Sequence, residues 1–486
     1  MGLISFVKGV FRKMLNFRTI SQAESVTTPL SPEMQNALQL WESLYTGRAF
    51  WLFDKDNPVK SMNLPAFISS ELARQITLEM NVSISGKNRD HTTDKDGDLI
   101  QNDRSLFLSF EFEKLLSGLR QKLEQGCAAG GMIIKPYPAD GHLYFDVSLA
   151  WDIYPLAFDH AGNLQDVIIP DFYSDGKDFY TRLERHTLNG QDVTITNRAY
   201  KSSSRDQIGK EVSLESVERW RDLEPEVTIK DAGGQLFGFF KVASANAIDL
   251  RCPLGASCFS KAVDAIREAD EQYTRLLWEF EGSELAIDVD PMALMQRDGQ
   301  RVLPKHAQRL FRAIDLEKSG GDLYEVFSPQ IRDSSLMAGL NAILQRVEDL
   351  CGISRGTISD ANDVAKTATE LTIQKQRSYA TVADNQKALE HCLRDVIRAM
   401  DVYATLYDLC PIGETEISFD WDDSIVVDSE KQMMQMMTLV NAGIVSKTEF
   451  RKWYFKETDR QASQALEAVN REKDADFDSA FKTRNE

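Results

Sequence analysis

The order of apolar residues predicts an α+β protein that is mainly helical. Three observations carry that reading. Helical spacing dominates residues 31–126 and the chain beyond Ser257, whereas residues 131–200 switch to strand-like alternation. Two narrow helical stripes bracket a short excursion of mixed character. A fifteen-residue stretch, 352–366, separates a helix that stops from one that runs on for about forty residues.

Taken in order, residues 1–30 form an arm. Its first seventeen residues are basic and amphipathic, and Phe6 stands where a myristoylation signal needs Ser or Thr. No signal-peptide core is present. Helices follow over 33–45, 66–82 and 107–126, each with apolar residues three and four apart, and the polar stretch 85–103 reads as an exposed loop. Strands are expected over 131–134, 142–147, 166–169, 180–186 and 193–196. Ala139-Asp-Gly141, His160-Ala-Gly-Asn163 and Asn189-Gly190 supply the turns, which makes this an antiparallel meander after a helical layer.

From Ser257 one stripe runs through Phe259, Val263, Ile266, Tyr273, Leu277 and Phe280, interrupted only by Asp270. A second, capped by Asp333 or Ser334, holds Leu336, Leu340, Ile343, Val347 and Leu350 and stops at Gly352. Such narrow stripes fit helices packed side by side. The excursion 282–332 reads strand (285–289), helix (305–314), strand (323–327), so the two helices make a stalk with a knob. The loop 352–366 is small and polar, with nothing to stabilise its own burial, and is expected to move between stiff supports. Thr367-Ala-Thr-Glu370 is a capping box that opens the long helix to about Leu406, ~60 Å in length. Its second half carries Leu389, Leu393, Val396, Met400 and Tyr403. A helix this long calls for neighbouring copies, as in a ring or fibre. A strand over 416–421 and three short helices end the chain. The first opens at Ser429-x-x-Gln432 and carries the run Met433 to Met437; the second opens at Ser446-x-x-Glu449; the third covers 459–469.

A net charge of −19 argues against a broad basic grip on nucleic acid, yet suits a wall past which a polyanion slides. Six scattered cysteines without a Cys-x-x-Cys pair read as buried thiols of a reducing compartment. No apolar stretch is long enough to span a bilayer. Phosphate-loop, His-Glu-x-x-His and Gly-x-Ser-x-Gly motifs are absent, and six scattered histidines make no ligand set, so neither catalysis nor a cofactor or resident metal is expected. Thr92-x-Asp94-x-Asp96-Gly97 with Asp103 is a poor calcium loop, having Thr first and Asp at the twelfth position.

With those residues in view, the chain resembles the SPP1-type family of tailed-phage portal proteins. The resemblance covers about residues 40 to 455 and rests on blocks in order: Trp41-Glu-Ser-Leu-Tyr-Thr-Gly47, Pro155-Leu-Ala-Phe-Asp159, Tyr180-Thr-Arg-Leu-Glu-Arg-His186, Cys252-Pro-Leu-Gly-Ala-Ser257, Glu279-Phe-Glu281, Ala365-Lys-Thr-Ala-Thr-Glu370 and Asn441-Ala-Gly-Ile-Val-Ser446. It implies a portal fold: a wing over 31–256, a stem of helices 257–281 and 334–351, and a clip over 282–333. It further implies a tunnel loop over 352–366, the long helix and a wing strand within 367–427, and a crown with the C-terminal tail over 428–486. The implied function is a ring of about twelve copies at one capsid vertex, a conduit for double-stranded DNA in packaging and ejection. Implied partners are the terminase motor, head-completion or adaptor proteins, and capsid and scaffolding proteins. The implied location is the virion, after assembly in the host cytoplasm, with no membrane.

Contacts to a moving duplex should be weak and directed at its backbone. Arg355, Asn362 and Lys366 of the loop are therefore candidate phosphate contacts, with Arg346 on the preceding helix as a further channel residue. Lys305, His306, Arg309 and Arg312 cluster on the expected knob helix as a docking face for an acidic motor or adaptor, or as a solvated helix face. Two rival readings stay open: a membrane-surface scaffold using the N-terminal segment, and a carboxylate-dependent nuclease.

Overall fold

The computed structural model describes residues 20–53, 58–87, 101–205, 207–283, 286–289, 296–297, 300–301, 311–313, 324–327, 330–360, 368–421, 429–455, 461–469 and 471. The chain divides into two compact units. The smaller includes Ser43–Ala66 and Phe259–Thr367; the larger comprises Lys8–Glu42, Phe67–Cys258 and Ala368–Glu486.

The first elements are α1 (Pro32–Tyr45), α2 (Leu64–Thr77), β1 (Met80–Gly86) and α3 (Asp103–Ala129). The helix expected over 66–82 ends at Thr77, and its last expected turn is strand. Asn81-Val-Ser-Ile-Ser85 alternates in period and pairs antiparallel with Thr415–Trp421, a partner more than three hundred residues away. Helix α3 opens at a reciprocal cap, Ser105 N donating to Asn102 Oδ1 at 2.8 Å and Asn102 N to Ser105 Oγ at 2.9 Å. Gly130, at φ 85°, ends it. A side chain at Gly255 would meet the Gly130 carbonyl at 2.0 Å, so the Cys252–Ser257 block packs on this junction backbone to backbone.

The next strands are β2 (Gly131–Ala139), β3 (His142–Leu149), β4 (Tyr154–Phe158), β5 (Leu164–Ser174), β6 (Phe179–Asn189), β7 (Asp192–Ser202), β8 (Lys210–Val212), β9 (Glu226–Ile229) and β10 (Gly238–Lys241). They form two sheets rather than one meander. One has the order β10-β2-β3; the other runs β4-β5-β6-β7-β8, with β9 also on β7. The hairpin turns fall where expected, with Asp140 and Gly141 at positive φ between β2 and β3, and Asn189 facing Asp192 across the β6–β7 turn. Strand β2 is buried on both faces, which hides its alternation. Met132 and Ile134 join the helical core, while Ile133 packs with Val167, Ile169 and Phe237.

The same parity places Lys135 beside Ile133, where its ammonium meets the buried Glu184 of β6 at 2.6 Å. Arg182 and His186, two residues either side of Glu184, reach that carboxylate at 2.9 and 2.7 Å. The Tyr180–His186 block thus holds a buried charge network that joins the two sheets. Burial would raise the Glu184 carboxyl, but Lys135, His186 and Arg182 hold it well below the usual range. Burial also depresses His186, against the pull of Glu184.

In the smaller unit, α4 (Val263–Gly282) and α5 (Asp333–Cys351) pack antiparallel: Arg332, just ahead of α5, meets Glu279 near the end of α4. Their seam holds Ala265, Ile266, Ala269 and Leu276 against Leu340, Leu344, Val347 and Cys351. It is rotated from the expected stripes, since Leu336, Ile343 and Leu350 are only partly buried and Phe280 is exposed. Between the helices lie β11 (Ala286–Val289), β12 (Gln296–Arg297), β13 (Gln300–Arg301), β14 (Phe311–Ala313) and β15 (Tyr324–Phe327). The expected outer strands are present. The helix expected over 305–314 is corrected at its end, because 311–313 form a strand parallel to β11 and take its backbone bonds; residues 302–310 lie outside the described residues.

Helix α6 (Ala368–Leu406) spans 39 residues, close to the expected extent; Thr367 of the expected capping box lies outside the described residues. Leu389, Leu393, Val396, Met400 and Tyr403 are all buried in the larger unit's core. A side chain on Gly238 would meet the Cys392 carbonyl at 2.1 Å, so β10 crosses α6 at backbone distance. After β16 (Thr415–Trp421) come α7 (Ser429–Asn441) and α8 (Lys447–Phe455). The Ser446–Glu449 box forms both ways, at 2.8 and 3.0 Å. Met434 and Met437 of the methionine run are exposed.

Glu184→Gln should cost about 3–5 kcal/mol, since it leaves Lys135 buried without its anion and Arg182 with Asp171 at 3.6 Å in place of the closer Glu184; urea unfolding measures this, and a loss well under 1 kcal/mol would contradict it. Because the native His186 pKa lies below its ordinary 6.5, the unfolded chain takes up a proton first as pH falls. Stability should therefore drop as pH falls below about 6.5, and His186→Gln should flatten that part of the profile.

Candidate functional site

The stretch after α5 is the place where charge, loop length and helix supports meet. Helix α4 carries six carboxylates against two arginines, and α5 three against one. Four of these carboxylates, Asp270, Glu279, Glu348 and Asp349, bind backbone, side-chain donors or cations that fix the unit's geometry.

Asp270 lies on the apolar seam of α4 at 2% exposure. Its two oxygens accept from Trp51 Nε1 at 3.0 Å and Met62 N at 2.8 Å, while Thr274, one turn on, accepts from Lys60 N at 2.8 Å. Trp51 and residues 60–62 are thereby held against α4, and the residue that interrupts the expected stripe is their fastening. Burial raises the Asp270 carboxyl above its usual range despite those donors. Glu279 is likewise turned inward and takes a two-pronged grip from Arg332, at 2.8 and 3.1 Å, which lowers its carboxyl.

Glu348, fully buried between Val347 and Cys351, organises the loop itself. Its carboxylate accepts from Ile358 N at 2.6 Å, Ser359 N at 2.9 Å and Ser359 Oγ at 2.7 Å. Asn341 Oδ1 takes Asp360 N at 2.7 Å. Gly352 caps α5 at φ 69°, and Ile353 is buried. Residues 352–360 are therefore folded back on the helix, where free movement of the whole loop was expected. The polar character of the segment misleads here, because its stabilisation comes from hydrogen bonds to a buried carboxylate rather than from apolar area.

Arg355 rides on this turn, about half exposed, and its guanidinium grips Asp349 at 2.7 and 3.2 Å. Asp349 raises the Arg355 pKa. Arg346 is exposed on α5. Asn362 and Lys366 lie outside the described residues, as do Lys305, His306 and Arg309. Arg312 lies in β14, with only its backbone described, rather than on a helix. The Thr92–Asp103 candidate also falls largely outside, apart from Asp103 as the first residue of α3.

Sequence reasoning missed Glu348, Asp349, Asn341 and Ser359. The signal was present in part: Leu344, Glu348 and Cys351 stand four and three residues apart, the spacing of a seam position occupied by an acid.

The model of one protein family, the phage portal proteins described as SPP1 Gp6-like, matches residues 304–476. That stretch is similar to SPP1-type portal proteins. It takes in the end of the knob, α5, the folded-back turn, α6 and the C-terminal helices, so it includes Glu348, Asp349 and Arg355 but not α4 with Asp270 and Glu279. No curated protein matches the chain. No helix among the described residues is long and apolar enough to cross a membrane.

Asp270→Ala leaves Trp51 Nε1 and Met62 N without their acceptor. It should lower stability by about 1–3 kcal/mol and speed protease cleavage within 51–62. Cleavage at the parent rate would show that Asp270 does not fasten this segment.

Proposed function

We propose that this chain is the portal subunit of a tailed phage or prophage, and that about twelve copies close into a ring around double-stranded DNA. The match over residues 304–476 carries the reading, because it falls on the part of the chain where α5, the folded-back turn and the 39-residue helix follow one another. In this reading α4 and α5 are the stem, 282–333 the clip, 352–366 the tunnel loop, and the helices after residue 428 the crown. The remaining residues, 31–256 with α6 and β16, form the wing.

The stem helices are acidic, which keeps a polyanion from adhering as it passes. Arg355, with Asn362, Lys366 and Arg346, supplies brief contacts to phosphates. Pairing with Asp349 tempers Arg355, so its hold on a phosphate is weak by construction. Terminase and later the head-completion proteins dock on the clip, where Lys305, His306, Arg309 and Arg312 concentrate positive charge. Capsid and scaffolding proteins meet the same ring in the host cytoplasm before it becomes part of the virion. Energy for translocation comes from the separate motor.

Negative-stain microscopy of the purified full chain is expected to show an annulus with a central hole; only monomers under assembly conditions would refute the reading. In assembled material, Asp349→Asn frees Arg355 and should tighten low-salt binding of duplex DNA roughly two- to fivefold. Unchanged binding would remove Arg355 from the set of phosphate contacts.

A further inference from the structure

Residues 352–360 contain one buried apolar side chain, Ile353, and otherwise depend on polar groups for their position. Most of those groups lead to a single residue. The Glu348 carboxylate takes three hydrogen bonds from Ile358 and Ser359, and the Glu348 carbonyl takes the N–H groups of Gly352 and Ile353. Ser359 Oγ in turn accepts from Gly356 N at 3.1 Å, and Thr357 Oγ1 donates to the Ser354 carbonyl at 2.6 Å. The turn is thus closed at both ends on one acid, with Arg355 at its outer side against Asp349.

A buried carboxylate without donors is strongly unfavourable, so Glu348 and the turn depend on each other. Solvent cannot replace Ile358 and Ser359 while the side chain stays in the seam between Val347 and Cys351. The arrangement has a fixed geometry rather than a graded one.

We propose that Glu348 is a positioning residue, a latch that fixes residues 352–360 on α5 and so sets the direction of Arg355 and the point, Asp360, from which the chain continues. The latch belongs to the chain whatever its function; its bearing on DNA rests on the portal reading above. With the latch closed, Arg355 stands against Asp349. With it open, the turn loses the carboxylate that holds Ile358 and Ser359, and Arg355 is held by its pair with Asp349 rather than by a fixed backbone.

Hydrogen exchange of the purified full chain, read by mass spectrometry on peptides covering 352–360 and 333–347, tests this. Glu348→Ala should raise exchange in 352–360 roughly tenfold or more while 333–347 exchanges as in the parent. Glu348→Gln should restore most of the protection, because one amide oxygen can still accept both backbone N–H groups. Ser359→Ala, which touches no helix packing, should give a smaller rise at the same place. Parent-like exchange in 352–360 for Glu348→Ala overturns the latch, as does a rise spread evenly over both helices. If Glu348→Ala does not fold, Ser359→Ala decides by the same criterion. A second arm measures DNA retained in particles assembled with Glu348→Ala. Local opening without loss of retained DNA removes the channel role and leaves the latch standing; loss of DNA without local opening does the reverse.

Discussion

An acid placed inside an apolar helix seam has to find donors, and the smaller unit is built around that requirement. Glu348 cannot remain charged and buried in α5 unless the chain returns to it, and the chain returns through Ile358 and Ser359. Asp270 imposes the same demand on α4 and is met by Trp51 and Met62. Each seam acid converts a segment that apolar burial alone would leave unfastened into one with a defined place. The energetic weight lies less in the net worth of these bonds than in the cost of breaking them, which makes the geometry nearly all-or-none.

The larger unit uses a related device. Glu184 joins the two sheets by taking Lys135 from one and Arg182 and His186 from its own strand, and the long helix α6 closes the core on the other face of β2. Backbone contacts without side chains, Gly255 on Gly130 and Gly238 on Cys392, bring these layers close. Stiff layers and short fastenings are what the proposed portal subunit would need to hold its shape under load.

Local signals were legible in the residues themselves. The long helix, its buried stripe from Leu389 to Tyr403, the Ser446–Glu449 box and the hairpins at Asp140-Gly141 and Asn189-Gly190 all depend on spacing within a few residues. Non-local pairings were not. β1 reads as the end of a helix until its partner β16 is known, and Phe311–Ala313 reads as helix until β11 is set beside it. The candidate site divides in the same way. Arg355 stands out as a cation in a polar loop, but the acid that positions it sits one helical position away from the stripe the periodicity selects. A seam acid and an exposed acid look alike in sequence; only the donors facing it tell them apart.

The most direct test of the account is a reconstruction of the assembled protein at side-chain resolution, read for the distance of residues 352–360 from the symmetry axis. The account predicts a closed ring in which this turn, still fastened to Glu348, borders the central channel with Arg355 on its exposed side. A ring with the turn on its outer surface, or density in which Ile358 and Ser359 lie away from Glu348, would contradict it.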